Sequence, residues 1–325
     1  MANKSPKVSV IMPVLNEEHH LADAVASVLA QNFEGELLIA LGPSTDNTNA
    51  VAEKLSQTDS RVRLVANPRG LTTVGMNLCV AQAKHEYIVR IDAHSEPAPN
   101  YISRGIEILE EVGADLVGGV MAAKGKTLFQ KAVAWCYTSR FGIGGASYHV
   151  GGEAGEAESA YLGIFRKSVL TKVGGYDESI IRGEDWDLAQ RIKATGSRVW
   201  FSPELSVTYW PRSSWTGLVK QFYSTGVWRG DLTRRDLART SLRYFIPPSL
   251  VISLVLGILV AAVGFPIGWL PWLVYFLAIV AVGFSSGFAP VPLVLATMHT
   301  AWGFGFLVGY LRGAAGTIDR SRVSK

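Results

Sequence analysis

From Tyr244 to Leu311 the chain carries no Asp, Glu, Lys or Arg. Its titratable side chains there are Tyr244, Tyr275, Tyr310 and His299. Few soluble folds can hold so long an uncharged stretch. Segments near 245–265, 268–286 and 291–311 each have the roughly 17–25 residues that a bilayer crossing needs. Their Pro and Gly residues are tolerated in membrane helices. Trp269, Trp272 and Tyr310 suit the membrane–water interfaces. The sequence therefore predicts about three transmembrane helices over 245–312.

The flanks are basic. Before the block, residues 215–244 mix Trp215, Leu218, Phe222, Tyr223 and Trp228 with Lys220, Arg229, Arg234, Arg235, Arg239 and Arg243. That pattern reads as an amphipathic interfacial segment. A basic tail, 313–325, follows the block. The formal net charge is +4, and its clustering around an apolar block points to membrane lipids as partner. No nucleic-acid-binding signature is present. Arg234, Arg235, Arg239 and Arg243 place the preceding domain in the cytoplasm by the positive-inside rule. Three full spans would then carry Arg312, Arg320, Arg322 and Lys325 to the far side, against the same rule. Either one segment does not cross or the tail breaks the rule.

Residues 1–214 have the composition of a soluble domain. Val8–Val14 reads as a central strand. Leu21, Ala24, Val25, Val28 and Leu29 then mark one face of a helix. Glu36–Leu41, Val62–Val65 and Tyr87–Ile91 read as further strands, with helices between them. A helix near 100–112 and a strand at Leu116–Met121 follow. The alternation predicts an α/β fold with a mostly parallel, Rossmann-like sheet. The Gly-rich stretch 141–155 is expected to act as a lid. Cys79 and Cys136 belong to no C-x-x-C pair and are expected as reduced, buried thiols.

Three acidic spots stand out: Glu17 after the first strand, Asp92 after the fourth, and Glu184-Asp185 at the start of a later helix. Ligands of open α/β sheets gather at the carboxyl ends of the strands. Asp92 and His94, two residues apart, suit a divalent cation. A cation there could hold a diphosphate leaving group. A carboxylate off the metal could then deprotonate an incoming hydroxyl, and Asp185 is the candidate. Acids at a helix start also favour the helix dipole, which gives Glu184 and Asp185 a purely structural reading. No G-x-G-x-x-G follows the first strand, against a dinucleotide oxidoreductase.

The motifs resemble those of the family 2 glycosyltransferases of the GT-A fold, in particular the membrane-bound exopolysaccharide type typified by the succinoglycan glucosyltransferases. They are Pro13-Val14-Leu15-Asn16-Glu17, Ile91-Asp92-Ala93-His94, Gly174-Gly175-Tyr176-Asp177-Glu178, Gly183-Glu184-Asp185, and Gln221 with Trp228-Arg229. The resemblance implies inverting transfer from a nucleotide sugar, usually a UDP-sugar, with Mn2+ or Mg2+. It places Pro13, Asn16, Glu17, Asp46 and Arg69 in the nucleotide-sugar pocket, and Asp92 and His94 on the metal and diphosphate. It makes Asp185 the base beside Glu184. Gln221, Trp228 and Arg229 would close over donor and acceptor. Two departures stand out. Leu41 and Gly42 replace the family's acid near the nucleobase, and His94 replaces the third residue of D-x-D. A neutral imidazole suits Mn2+ better than Mg2+.

These features together lead to a multi-pass enzyme of the cell membrane with a cytoplasmic catalytic domain. It would extend a lipid-linked saccharide in exopolysaccharide or cell-envelope glycan synthesis. The alternatives are a polyprenyl-phosphate glycosyltransferase and a non-catalytic nucleotide-sugar-binding scaffold.

Overall fold

A computed structural model describes residues 6–238 and 240–314. Arg239 and the tail basic residues Arg320, Arg322 and Lys325 lie outside the described residues. The chain forms two compact units, one of Met1–Ala122 with Ala146–Tyr209 and one of Ala123–Gly145 with Trp210–Ser321. Residues 123–145 fall within the 1–214 segment by sequence but cluster with the second unit.

The first unit opens with β1 (Lys7–Val14), α1 (Leu21–Leu29), β2 (Glu34–Leu41), α2 (Thr48–Thr58), β3 (Val62–Ala66), α3 (Thr72–Gln82) and β4 (Tyr87–Arg90). Next come β5 (Ser95–Pro97), α4 (Tyr101–Glu111) and β6 (Leu116–Ala123). In the second unit, α5 (Leu128–Thr138) follows. The chain then returns through α6 (Ser147–Val150), β7 (Gly155–Glu156), β8 (Tyr161–Arg166), α7 (Lys167–Lys172), α8 (Glu184–Ala194) and β9 (Val199–Tyr209).

Nine strands of the described residues form one sheet in the order β3-β2-β1-β4-β8-β6-β9-β5, with β7 beside β9. The run β3-β2-β1-β4 is parallel. β8 is antiparallel to both β4 and β6. The expected parallel sheet is thus its first half, and the whole is mixed.

Strand side chains alternate between faces, and the core follows that period. Val10, Met12, Leu37, Ile39 and Val89 pack on one face with Leu21, Val25 and Val28 of α1. Ile11, Leu38, Ala40 and Ile88 pack on the other with Met76 and Cys79 of α3 and Leu188 of α8. Burying each such aliphatic side chain stabilises the fold by about 1.5–3 kcal/mol. Both faces are covered, so the parallel strands read as continuous apolar runs. Cys79 and Cys136 are free and buried. Burial pushes both thiols up to about 12, which leaves them unreactive at neutral pH.

The second unit continues with α9 (Trp215–Arg235), α10 (Ile246–Ala262), α11 (Leu270–Ser286) and α12 (Val291–Arg312). Short 3-10 turns at Leu242–Phe245 and Pro266–Trp269 lead into α10 and α11. Among the described residues, three helical stretches are long and apolar enough to cross a membrane: Leu242–Ala262, Pro266–Ser286 and Val291–Arg312.

Candidate active site

β1, β2 and β4 are parallel neighbours, so the loops after Val14, Leu41 and Arg90 leave the same sheet edge. The first two loops are stitched together. Asn16 sits in the left-handed region with φ 55°, which Asn tolerates better than most residues. There its Oδ1 accepts the Thr45 N–H at 2.8 Å, while its own N–H donates to Ser44 Oγ. The Glu17 N–H donates to Thr48 Oγ1 at 2.7 Å. Asp46 accepts from the Thr48 N–H and hydroxyl through Oδ1, and from the Glu18 N–H through Oδ2. Burial would raise the Asp46 pKa, but these hydrogen bonds outweigh it and hold the carboxyl below its usual range. Asn16 and Asp46 therefore fix the shape of the loops. Pro13 pairs with Ala40 one step inside this edge.

Arg90 is the centre of the site. It is the last residue of β4 and only 1% exposed. Its Nε lies 3.0 Å from Asp92 Oδ1, and its Nη2 lies 3.1 Å from Glu184 Oε1. Its Nη1 contacts Asp185 Oδ1. Burial alone would lower the Arg90 pKa, but Asp185, Asp92 and Glu184 reverse this and keep it charged. A buried charge is tolerated only when paired and hydrogen-bonded. Three carboxylates face one guanidinium, so with all three ionised the cluster keeps an excess of negative charge. Sequence reasoning passed over Arg90. The available signal was a lone charged residue ending an otherwise apolar strand.

The acidic pair reaches Arg90 from α8. Gly183 caps that helix at φ 84° and puts Glu184 and Asp185 in its first turn. The helix is anchored where Arg191 donates to the Gly175 carbonyl at 2.7 Å and the Trp186 indole N–H donates to Glu158 at 2.8 Å. Gly175 itself has φ 74°, and a Cβ there would lie 2.5 Å from Asn77 Oδ1. That close approach lets Asn77 bond the Tyr176 N–H and carbonyl, seating Tyr176 under the cluster. Arg69 pairs with Glu178 of the same turn at 2.6 Å.

The structure also joins two residues that the sequence placed apart. His94 Nδ1 lies 3.2 Å from Glu17 Oε1. A proton on Nδ1 is then donated to Glu17, and Nε2 presents its lone pair. Among the described residues no group of three or more His, Cys, Asp or Glu is arranged to hold a metal.

Gln221, Trp228 and Arg229 belong to the second unit, on α9. Trp228 is buried. The Arg229 guanidinium stacks 4.2 Å from the Tyr244 ring centroid. The Gln221 backbone carbonyl accepts a hydrogen bond from the Thr225 hydroxyl.

The sequence profile of glycosyl transferase family 2 matches residues 9–174, which contain the strand edge, Arg90 and Asp92. The succinoglycan biosynthesis protein ExoA of Rhizobium meliloti is 32% identical over 308 residues, covering 91% of this chain and 93% of that protein. The chain belongs to glycosyl transferase family 2. It is a glycosyltransferase of the GT-A fold. A second relative of this glycosyltransferase, from Methanococcus voltae, is 20% identical over 317 residues, 94% of this chain and 98% of that one. It is a dolichyl N-acetyl-α-D-glucosaminyl phosphate 3-β-D-2,3-diacetamido-2,3-dideoxy-β-D-glucuronosyltransferase. Among solved structures, the mannosyltransferase PcManGT of Pyrobaculum calidifontis, in complex with GDP-Man and Mn2+, is similar with a TM-score of 0.67. It is 17% identical, and the match covers 95% of this chain and 88% of that one.

Proposed function

We propose that this glycosyltransferase moves a sugar, with inversion, from a nucleotide-sugar donor to a lipid-linked saccharide at the cytoplasmic membrane face, in exopolysaccharide or cell-envelope glycan synthesis. The observation that carries the reading is the gathering of Asp92, Glu184 and Asp185 on buried Arg90 at the strand edge. The apolar helices and the relatives from succinoglycan and dolichyl-phosphate glycan synthesis support the lipid-linked acceptor. The donor is a UDP-sugar by resemblance of the motifs.

Roles follow from exposure and chemistry. The side chains of Asp92 and Glu184 are 8% and 9% exposed, and that of Asp185 is 26% exposed. Asp185 is thus the member an acceptor hydroxyl can reach, and it takes the hydroxyl proton as general base. Glu184 holds Arg90, and Arg90 holds Asp185 in place. Pro13, Asn16, Glu17, Asp46 and Arg69 shape the nucleotide-sugar pocket. Gln221, Trp228 and Arg229 keep the donor- and acceptor-closing role that the motifs imply.

The donor set fits a divalent ion. A carboxylate and an imidazole lie two residues apart, and the imidazole is backed by Glu17 as metal-bound histidines are backed by carboxylates. Asp92 and His94 would hold Mn2+ or Mg2+, with phosphate oxygens and water completing the sphere. When bound, the ion offsets charge on the departing diphosphate as a Lewis acid. The excess negative charge around Arg90 favours a cation nearby. GDP-Man and Mn2+ in the similar mannosyltransferase are in keeping with this.

Asp185→Asn tests the assignment. Loss of the base should lower transfer by about 10²–10⁴-fold, while nucleotide-sugar binding by calorimetry stays near wild type. Turnover at the wild-type rate would remove Asp185 from the role.

A further inference from the structure

We propose that only two of the three apolar helices cross the bilayer. α10 and α11 form the spanning hairpin, and α12 lies at the membrane surface beside α9. The C-terminal tail then stays on the side where α9 begins. This inference does not rest on the sugar-transfer reading.

The hairpin register sets depth. The Trp272 indole N–H donates to the Leu254 carbonyl at 3.0 Å. A Cβ on Gly257 would lie 2.5 Å from the Gly268 carbonyl oxygen. α10 and α11 are thus antiparallel arms in close contact near the turn that joins them. Tyr275 and Gly283 follow farther along α11, away from the turn that joins the arms.

Several contacts of α12 with these arms and the turn before α10 lie away from the hairpin tip. Pro292 packs on Gly283. His299 Nδ1 meets the Tyr275 hydroxyl at 3.0 Å. Gly303 lies against the Pro247 carbonyl and Val251. The Phe306 ring packs on Phe245, with centroids 5.6 Å apart. From Pro292 to Phe306 the helix advances about 21 Å, yet each of these contacts lies at least six residues from the Pro266–Trp269 turn. A crossing helix would have moved steadily along the arms into their distal half. There Leu259, Val263, Phe265, Ile267, Leu270 and Leu273 are instead exposed apolar residues, fit for lipid.

A second observation, from α9, is independent. A Cβ on Gly226 would lie 2.1 Å from the Trp302 carbonyl oxygen, and one on Gly230 2.1 Å from that of Phe306. From the other side, a Cβ on Gly305 would lie 2.2 Å from the Tyr223 carbonyl oxygen, and one on Gly309 1.9 Å from that of Val227. The two helices therefore run parallel with their backbones in contact. Beside this seam α9 carries Asp231, Arg234 and Arg235, with the two arginine side chains 51% and 40% exposed. An arginine at the bilayer centre costs about 2.5–3.5 kcal/mol, so α9 stays out of the hydrocarbon and holds the second half of α12 with it. Within the protein, 44% of the apolar window of α12 is buried, against 22% for α10 and 6% for α11. Its uncovered face is a stripe of Leu293, Phe304 and Leu311, suited to the upper leaflet boundary. Two crossings also put Arg243, Arg312 and the tail residues Arg320, Arg322 and Lys325 on one side, removing the charge conflict of three spans.

The test is sidedness of labelling in the full chain. Three variants each add one cysteine: Gln57→Cys on exposed α2, Phe265→Cys at the hairpin tip, and a cysteine appended after Lys325. A membrane-impermeant maleimide is applied to intact cells and to inverted vesicles, with denatured samples giving total reactivity. The proposal expects the Gln57 and appended thiols to react from the same side, and the Phe265 thiol from the opposite side. An appended thiol on the opposite side from Gln57 would establish three crossings and overturn it. A Phe265 thiol on the same side as Gln57 would show that the hairpin does not cross, and would also overturn it.

Discussion

The two units each bury a charged side chain, and the two clusters are near opposites. In the first, one cation, Arg90, meets Asp92, Glu184 and Asp185. In the second, one acid, Asp231, is 1% exposed and meets Arg234 and Arg235 at 2.9 and 2.6 Å. The partners of Asp231 come from its own helix, three and four residues on, where any helix brings side chains together. Two of the partners of Arg90 lie more than ninety residues away in the chain and arrive only when α8 docks on the sheet. The first cluster keeps surplus acid at a strand edge. The second keeps surplus base at a helix end, where it favours the dipole. A buried ion pair is therefore weak evidence of a site by itself. What distinguishes Arg90 is that the tertiary fold assembles its partners and leaves their charge unbalanced.

The sharpest way to break that contrast is Arg90→Met. It leaves three carboxylates, two of them buried, without their cation, a loss of about 3–5 kcal/mol. At roughly 2–4 °C per kcal/mol for a chain of this size, Tm in detergent should fall by about 10 °C, and transfer should vanish. Arg90→Lys should rescue little, since a single ammonium cannot reproduce the guanidinium fork. Full activity in Arg90→Lys would mean that only the charge matters. Asp231→Asn should be much milder. Its two arginines already reach water, so the expected loss is about 1 kcal/mol, read as a Tm shift of a few degrees with transfer retained. A drop as large as that of Arg90→Met would show that the helix-local cluster also supports the fold globally.

The same contrast explains what the sequence revealed. Apolar periodicity located β1, α1, β2, β3, β4 and α8, because local pattern and tertiary burial agree there. The acids at Asp92, Glu184 and Asp185 were visible as types at element ends. Arg90 was in plain view but unweighed, because its meaning depends on partners far away in sequence. β8 and β9 were missed as antiparallel strands. Gly163 interrupts the apolar run of β8, and Pro203 and Glu204 interrupt β9. His94 and Glu17 were each singled out, but only the parallel pairing of β1 with β4 brings them within 3.2 Å. The depth of α12 was illegible for a different reason. Composition reports that a helix is apolar, and the glycine seam with α9 reports what covers it.

Asp46 offers the finest test, because it is a carboxylate stabilised without a guanidinium. Its oxygens accept from the Thr48 N–H and hydroxyl and from the Glu18 N–H. These bonds favour the ionised form, so the folded pKa lies below the ordinary 3.8. A depressed folded pKa stabilises the native state above the unfolded value, and that contribution is lost as pH falls through the folded one. Asp46→Asn should therefore cost about 1 kcal/mol near neutral pH, and the gap from wild type should close below pH 3.8. Paired denaturant titrations between about pH 7 and pH 3 would read this directly. A gap that stays constant over that range would mean that the ionised carboxylate contributes nothing, and that the loops are held by Asn16 and the Glu17–Thr48 bond alone.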